Sequence, residues 1–315
     1  MTNARIVFMG TPEFAVASLA ALVHAGKQVV GVITAPDKPS GRGRKLKASA
    51  VKQYALEHNI PVLQPLKLKD PEFLKQLKAL DANLQVVVAF RMLPEVVWSM
   101  PALGTFNLHG SLLPEYRGAA PIHWAVINGE TQTGVTTFFI DEKIDTGAII
   151  DQRTIAIGDQ ENTGDVHDRL MELGASLVTD TVTKIEQGLA TSKPQPAGLA
   201  LKPAPKLNSE NTKIDWSLPP IAIYNKVRGL NPFPGAWCYL LNNNTQEAVK
   251  IYKVSMLSEP HNLETGTLRI SKKELDVAIN DGFIRILEIK LPGKRKMKTQ
   301  DLLNGFSFTS EHKMR

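Results

Sequence analysis

Along the first 190 residues, apolar and polar positions switch repeatedly between a strand pattern and a helical one. Arg5-Ile6-Val7-Phe8-Met9 is a short apolar run suited to a buried parallel strand. Gly10-Thr11-Pro12 turns the chain and predicts a helix start, with Thr11 as cap and Pro12 in the first helical position. Phe14, Leu19, Leu22 and Val23 then recur at helical spacing, and Gly26 ends the helix. Strands are predicted at 29–33 and 61–63, with helices at 51–57 and 71–80. The strongest apolar strand, Val86-Val87-Val88-Ala89-Phe90, follows. This alternation predicts an α/β domain over 1–189, a Rossmann-like, mainly parallel twisted sheet with helices on both faces.

From Gly188 to Ser209 the pattern dissolves among Pro194, Pro196, Pro203 and Pro205, so residues 190–208 read as a linker. A helix at 221–229 comes next. Short strands are then predicted at 236–241, 249–254, 266–270, 277–279 and 284–291, separated by turns such as Asn280-Asp281-Gly282. Such spacing predicts a small, OB-like β-barrel domain over 209–315.

Composition changes this picture in two places. The single cysteine, Cys238, excludes an intrachain disulfide and a cysteine-only zinc site, and its place between Trp237 and Tyr239 suits buried packing. No apolar stretch approaches the length of a membrane span, and the short run at the N-terminus is no signal peptide, so the chain is expected to be cytoplasmic. Charge is divided unevenly. Residues 1–200 hold 19 Lys and Arg against 20 Asp and Glu, whereas residues 201–315 hold 18 against 11. The positive excess lies in the last third, which fits either a polyanionic partner or a basic surface kept for solubility.

Several chemistries are disfavoured. Gly10-Thr11-Pro12-Glu13-Phe14-Ala15 lacks the later glycines of a pyrophosphate cradle, and no Walker lysine, Gly-x-Ser-x-Gly elbow or His-Glu-x-x-His pair occurs. The dense region is Phe106-Asn107-Leu108-His109-Gly110-Ser111-Leu112-Leu113-Pro114. Strand alternation puts Asn107 and His109 on one side, an amide and an imidazole projecting together at a strand end, where open α/β sheets bind ligands. The pattern alone leaves a satisfied structural histidine open as the alternative. Further on, Asp145 sits in a turn before Gly147, where an acid can be held by backbone amides and aimed at His109.

These residues resemble a known family. The run 107–114 and the later Ile144-Asp145-Thr146-Gly147 are similar to the signature of the 10-formyltetrahydrofolate-dependent formyltransferases. Residues 8–14, Gly41-Arg42-Gly43, Arg117-Gly118-Ala119-Ala120-Pro121 and Asn231-Pro232-Phe233-Pro234-Gly235 extend the resemblance over the whole chain, and to the branch that acts on methionyl initiator tRNA. The resemblance implies that Asn107, His109 and Asp145 are catalytic and that Ser111, Leu112, Leu113 and Pro114 contact the folate. It implies direct transfer of the formyl group to an amine, with no covalent enzyme intermediate and no metal, by a monomeric enzyme. It also implies that the basic loop at 36–47 enters the acceptor end of tRNA. Arg42, Arg44 and Lys45 are its expected contacts, joined by Lys294, Arg295 and Lys296 in the C-terminal domain. By composition alone, each basic segment could equally be a solvated surface. One departure stands out: where the family often has Ala-Tyr-Gly before Ile-Leu-Pro, this chain has Ala89-Phe90-Arg91-Met92-Leu93-Pro94.

Overall fold

The computed structural model describes residues 3–40, 45–196, 201–242, 245–309 and 311–315. It divides into two compact units. One comprises Met1–Pro121, Thr133–Ile155 and His167–Pro203; the other comprises Ile122–Gln132, Ala156–Val166 and Ala204–Arg315.

In chain order the first half runs β1 (Arg5–Gly10), α1 (Glu13–His24), β2 (Gln28–Ile33), β3 (Lys38–Ser40), β4 (Lys45–Lys47), α2 (Ala50–Glu57), β5 (Val62–Leu63) and α3 (Pro71–Ala79). It continues with β6 (Leu84–Val88), α4 (Glu95–Trp98), β7 (Thr105–His109), α5 (Pro121–Ile127), β8 (Gln132–Phe139), β9 (Ile149–Ala156) and α6 (Thr163–Glu186). The sheet order is β5-β2-β1-β6-β7-β8-β9, parallel from β5 to β7 and antiparallel at β7–β8. Successive side chains of a strand point to opposite faces, and helices cover both. Val7, Met9 and Val87 pack with Phe73 and Leu77 of α3 and Val97 of α4. On the other face, Leu108 lies against Gly174 of α6, and the Thr137 and Thr181 hydroxyls hydrogen-bond at 3.0 Å. Ile6, Val7, Phe8 and Met9 are fully buried, as a central parallel strand requires.

Local signals explain several helix ends. Ser49 caps α2 by accepting from the Lys52 amide, and Asp70 caps α3 with Pro71 in the first turn. Gly26, at φ +68°, closes α1 while the Lys27 amide reaches back to the Leu22 carbonyl. The start of α1 differs from expectation. Pro12, not Thr11, is the capping residue, the helix begins at Glu13, and no side chain caps it. Pro12 is extended, at ψ 176°, and its carbonyl accepts from the amides of Ala15 and Val16. Strand β6 also stops two residues early, because Ala89 adopts φ +47° and leaves the ladder. Strand β9 and helix α6 occupy a stretch for which the pattern predicts no element.

The C-terminal part begins with α7 (Pro220–Gly229). It continues with β10 (Ala236–Asn242), β11 (Thr245–Leu257), β12 (Leu268–Ile270), β13 (Leu275–Ile279), β14 (Gly282–Lys290), β15 (Met297–Lys298), α8 (Thr299–Leu303) and β16 (His312–Met314). The antiparallel order β12-β13-β14-β11-β10-β16 nearly closes on itself, since Thr267 bridges Lys313 and the Met314 amide donates to the Gly266 carbonyl at 2.8 Å. The interior is filled by Cys238, Val249, Ile251, Val277, Ile284, Ile286 and Ile289, with Ile223 and Val227 of α7 packed on it. This is an OB-like barrel.

Cys238 is fully buried, its Sγ 3.3 Å from the Met314 sulfur, and burial pushes its thiol up to about 12. A disulfide-exchange reagent at pH 8 should therefore titrate no thiol in the native protein and one after denaturation. A thiol that reacts within minutes in the folded protein would contradict this packing.

Candidate active site

Strand β7 carries Asn107 and His109 on the face shared with Val87, because Asn107 pairs with Val87 and His109 is opposite Thr136. The Asn107 side chain is half-buried, and its amide has no hydrogen bond among the described residues. It is free to donate to a ligand. His109 is buried, and its Nε2 lies 2.8 Å from the Tyr116 carbonyl oxygen. A carbonyl can only accept, so Nε2 carries the proton of this bond. Nδ1 is thereby left to face the Asp145 carboxylate at 3.8 Å. That separation suits an ion pair with a protonated ring but exceeds a hydrogen bond. The ring is thus held through Nε2 by the Tyr116 backbone, with Asp145 facing its other nitrogen.

Asp145 is itself tightly placed. It takes the left-handed conformation, φ +55°, and its Oδ2 accepts from the Gly118 amide at 2.9 Å. Gln195 donates to the carbonyls of both Asp145 and Gly147, at 2.9 and 2.8 Å, while Arg117 donates to the Gln195 side-chain oxygen. Gly147 permits this path: a Cβ there would lie 1.6 Å from the Phe139 carbonyl oxygen. Gln195 belongs to the proline-rich stretch read as a linker. That stretch is anchored here, since Lys193 pairs with Ile149 through both backbone groups at 2.8 Å.

The segment after His109 is pinned from below by Thr136, which is fully buried. Its hydroxyl donates to the Ser111 carbonyl at 2.7 Å and accepts from the Leu113 amide at 3.1 Å and from Gln152 Nε2 at 2.9 Å. Gln152 also donates to the Leu113 carbonyl. The Ser111 hydroxyl, wholly buried, donates to the Glu115 carbonyl. Ser111 and Leu113 therefore point into the protein and shape the turn, while Leu112 and Pro114 stay half-buried. Arg91 likewise turns to the backbone. Its guanidinium donates to the carbonyls of Pro65 and Leu66 and lies 5.5 Å from the Phe90 ring, so the position often held by glycine is here a clamp between two loops.

The structure thus brings Asn107, His109 and Asp145 together beside residues 111–114. Lys294, Arg295 and Lys296 belong to the barrel unit and are exposed. Lys294 lies over Phe306; Lys296 lies over Tyr252 and pairs with Glu288 at 2.8 Å. Arg42 and Arg44 lie outside the described residues, as does the side chain of Lys45. Among the described residues, no group of three or more His, Cys, Asp or Glu could hold a metal ion, and no helix is long and apolar enough to cross a membrane.

An amide and an imidazole at a strand end, with a braced carboxylate beyond them, place two hydrogen-bond donors and an acid around one space, as a group-transfer site requires. The chain belongs to the formyl transferase family: residues 4–182 match the formyl transferase model and residues 206–307 the model of its C-terminal domain. It is 57% identical over 314 residues to the methionyl-tRNA formyltransferase of Flavobacterium johnsoniae, covering all of both chains. With that of Bacteroides fragilis it shares 54% over 317 residues, covering 99% of this chain and 98% of the relative. The fold also resembles the sugar 3N-formyl transferase WlaRD (TM-score 0.66, 21% identity, 94% of this chain and 100% of that one). HypX from Aquifex aeolicus in complex with tetrahydrofolic acid is similar as well (TM-score 0.63, 18% identity, 96% of this chain and 47% of that one).

Thr136→Val keeps the shape of the side chain but leaves the Ser111 carbonyl, the Leu113 amide and Gln152 without their shared partner. Urea denaturation should show a loss of about 1–3 kcal/mol. A loss below about 0.5 kcal/mol, the range of ordinary surface changes, would show that the turn does not depend on this hydroxyl.

Proposed function

We infer that this protein transfers the formyl group of 10-formyltetrahydrofolate to the α-amino group of methionyl initiator tRNA, giving N-formylmethionyl-tRNA for translation initiation. The observation that carries the reading is the end-to-end similarity, above 50% identity, to proteins named for that reaction. The site chemistry agrees with it. The folate supplies a formyl carbon, and attack by the amine there develops negative charge on the formyl oxygen.

Asn107 Nδ2 and the Nδ1–H of protonated His109 donate to that oxygen. Preorganised donors of this kind are worth about 10²–10³ in rate each. Because Nε2 is committed to Tyr116, Nδ1 is the only ring nitrogen available for the task. Asp145 balances the imidazolium charge from 3.8 Å and carries the proton from the attacking nitrogen to the departing folate nitrogen. Such general acid–base help contributes about 10²–10⁴-fold. Ser111 and Leu113 hold the turn, and Leu112 and Pro114 offer the folate an apolar wall.

The tRNA is gripped through Arg42, Arg44, Lys45, Lys294, Arg295 and Lys296. Support for this is the positive excess of residues 201–315 and the exposure of the 294–296 loop. The protein works as a monomer in the cytoplasm, where its folate and tRNA substrates are found.

The test is formyl transfer from labelled 10-formyltetrahydrofolate to charged initiator tRNA. Wild-type protein should label the aminoacyl-tRNA. His109→Ala should lower kcat by roughly 10²–10³ with the fold intact, and Asp145→Asn by roughly 10²–10⁴. If wild-type protein consumed the folate with a small amine or water but left the tRNA unlabelled, the acceptor would be wrong. The KM for tRNA should also climb steeply with salt, by close to one logarithmic unit per unit of log salt for each phosphate contact, while the KM for folate stays flat. Equal salt responses for both substrates would contradict phosphate gripping.

A further inference from the structure

The stretch Asn231-Pro232-Phe233-Pro234-Gly235 has no part in the chemistry above, yet its backbone is held by several hydrogen bonds. The carbonyls of Leu230, Asn231, Phe233 and Pro234 each accept a hydrogen bond. Their donors are the Gly235 amide at 2.8 Å, the Gly164 amide at 3.2 Å, His123 Nε2 at 3.0 Å and Lys250 Nζ at 2.6 Å. Asn231 Nδ2 adds a bond to the Tyr252 carbonyl. Gly235 closes the turn at φ +84° with the Tyr252 ring 3.0 Å from where a Cβ would stand, so no other residue fits without strain. Two prolines fix φ within the turn as well.

All this bracing presents one side chain. Phe233 is 77% exposed, the most exposed aromatic residue among the exposed large hydrophobics, and has no ring or cation partner among the described residues. A single exposed apolar residue is ordinary. An aromatic ring held out by a turn with four of its carbonyls bonded is different, because much of the backbone ordering entropy is already spent before any partner arrives. Two lysines belong to the turn and its support: Lys250 donates to the Pro234 carbonyl, and Lys296, paired with Glu288 at 2.8 Å, lies 5.1 Å from the Tyr252 ring on which the turn rests. An exposed aromatic face in the part of the chain that carries the positive excess matches the chemistry of single-stranded nucleic acid, in which bases stack and phosphates need neutralising.

We propose that the Phe233 ring is a stacking platform for an unpaired base of the RNA substrate. The proposal rests on the tRNA reading and adds to it a contact that is blind to base identity, since every base has a π-face. Neutral stacking at this position would add to phosphate contacts made elsewhere on the basic C-terminal unit.

The experiment compares Phe233→Ala, Phe233→Leu and Phe233→Trp in formyl transfer to charged initiator tRNA. It also follows the fluorescence of the tryptophan introduced by F233W as a short single-stranded oligoribonucleotide is added. F233A should raise the KM for tRNA roughly five- to a hundredfold and leave the KM for folate and the melting temperature unchanged. F233L should be as poor as F233A, F233W should restore wild-type KM, and the oligoribonucleotide should quench the introduced tryptophan. An F233A KM within twofold of wild type overturns the proposal, and so does an F233L variant equal to wild type, which would mean plain apolar contact. A wild-type dimer that F233A converts to a monomer would overturn it too, because the ring would then be covered by a second copy. If wild-type protein transfers nothing to tRNA yet the oligoribonucleotide quenches the tryptophan, the platform stands and the tRNA reading falls. If transfer is normal and no variant changes KM, the reverse holds.

Discussion

The site depends on one hydrogen bond, from His109 Nε2 to the Tyr116 carbonyl. Imidazole has two nitrogens, and the bond made by one decides what the other can do. With Nε2 occupied by a backbone acceptor, the ring can meet a substrate only through Nδ1, on the side where Asp145 stands. Strand alternation places the Asn107 amide on the same face. The reacting space is thus bounded by two donors on one rigid strand and one acid beyond it.

That arrangement is held from outside by groups with no chemistry of their own. Thr136 and Gln152 satisfy the backbone of the turn that leads to Tyr116, and Gln195 with the Gly118 amide fixes the Asp145 loop. Each buried polar group in this network has a partner, and in a low-dielectric interior an unpaired one costs more than the bond contributes. A left-handed Asp145 is a strained choice for a residue with a Cβ, tolerable because the surrounding bonds over-determine it. The same principle operates at Arg91, whose guanidinium joins two loops through their carbonyls where a glycine would leave them untied.

Much of this is legible in the sequence. The parallel strands announced themselves as unbroken apolar runs, and Asn107 and His109 as a period-two pair at a strand end. What escaped was whatever depended on partners far along the chain. Helix α6 carries Gly174 and several threonines, and its place comes from packing on Leu108 and Thr137, which local periodicity does not reveal. Gln195 sits in a proline-rich stretch with no pattern, so nothing local marked it as the brace of Asp145. The Tyr116 bond is made by a carbonyl, and every residue has one. Thr11 misled because its side chain suits a cap, whereas the extended Pro12 already offers the first carbonyl of α1. Composition alone marks the basic segments, and the pairing of Lys296 with Glu288 shows that a lysine cluster is not all free charge.

The most direct test of the central claim is the protonation pattern of the His109 ring, measured by nitrogen-15 NMR on histidine-labelled protein and assigned by the signal lost in His109→Ala. In the neutral ring, Nε2 should be protonated, slow to exchange because it is buried against Tyr116, and Nδ1 unprotonated. A ring protonated on Nδ1, or one averaging between the two forms, would contradict it, for then Nδ1 would not be reserved for the reacting space.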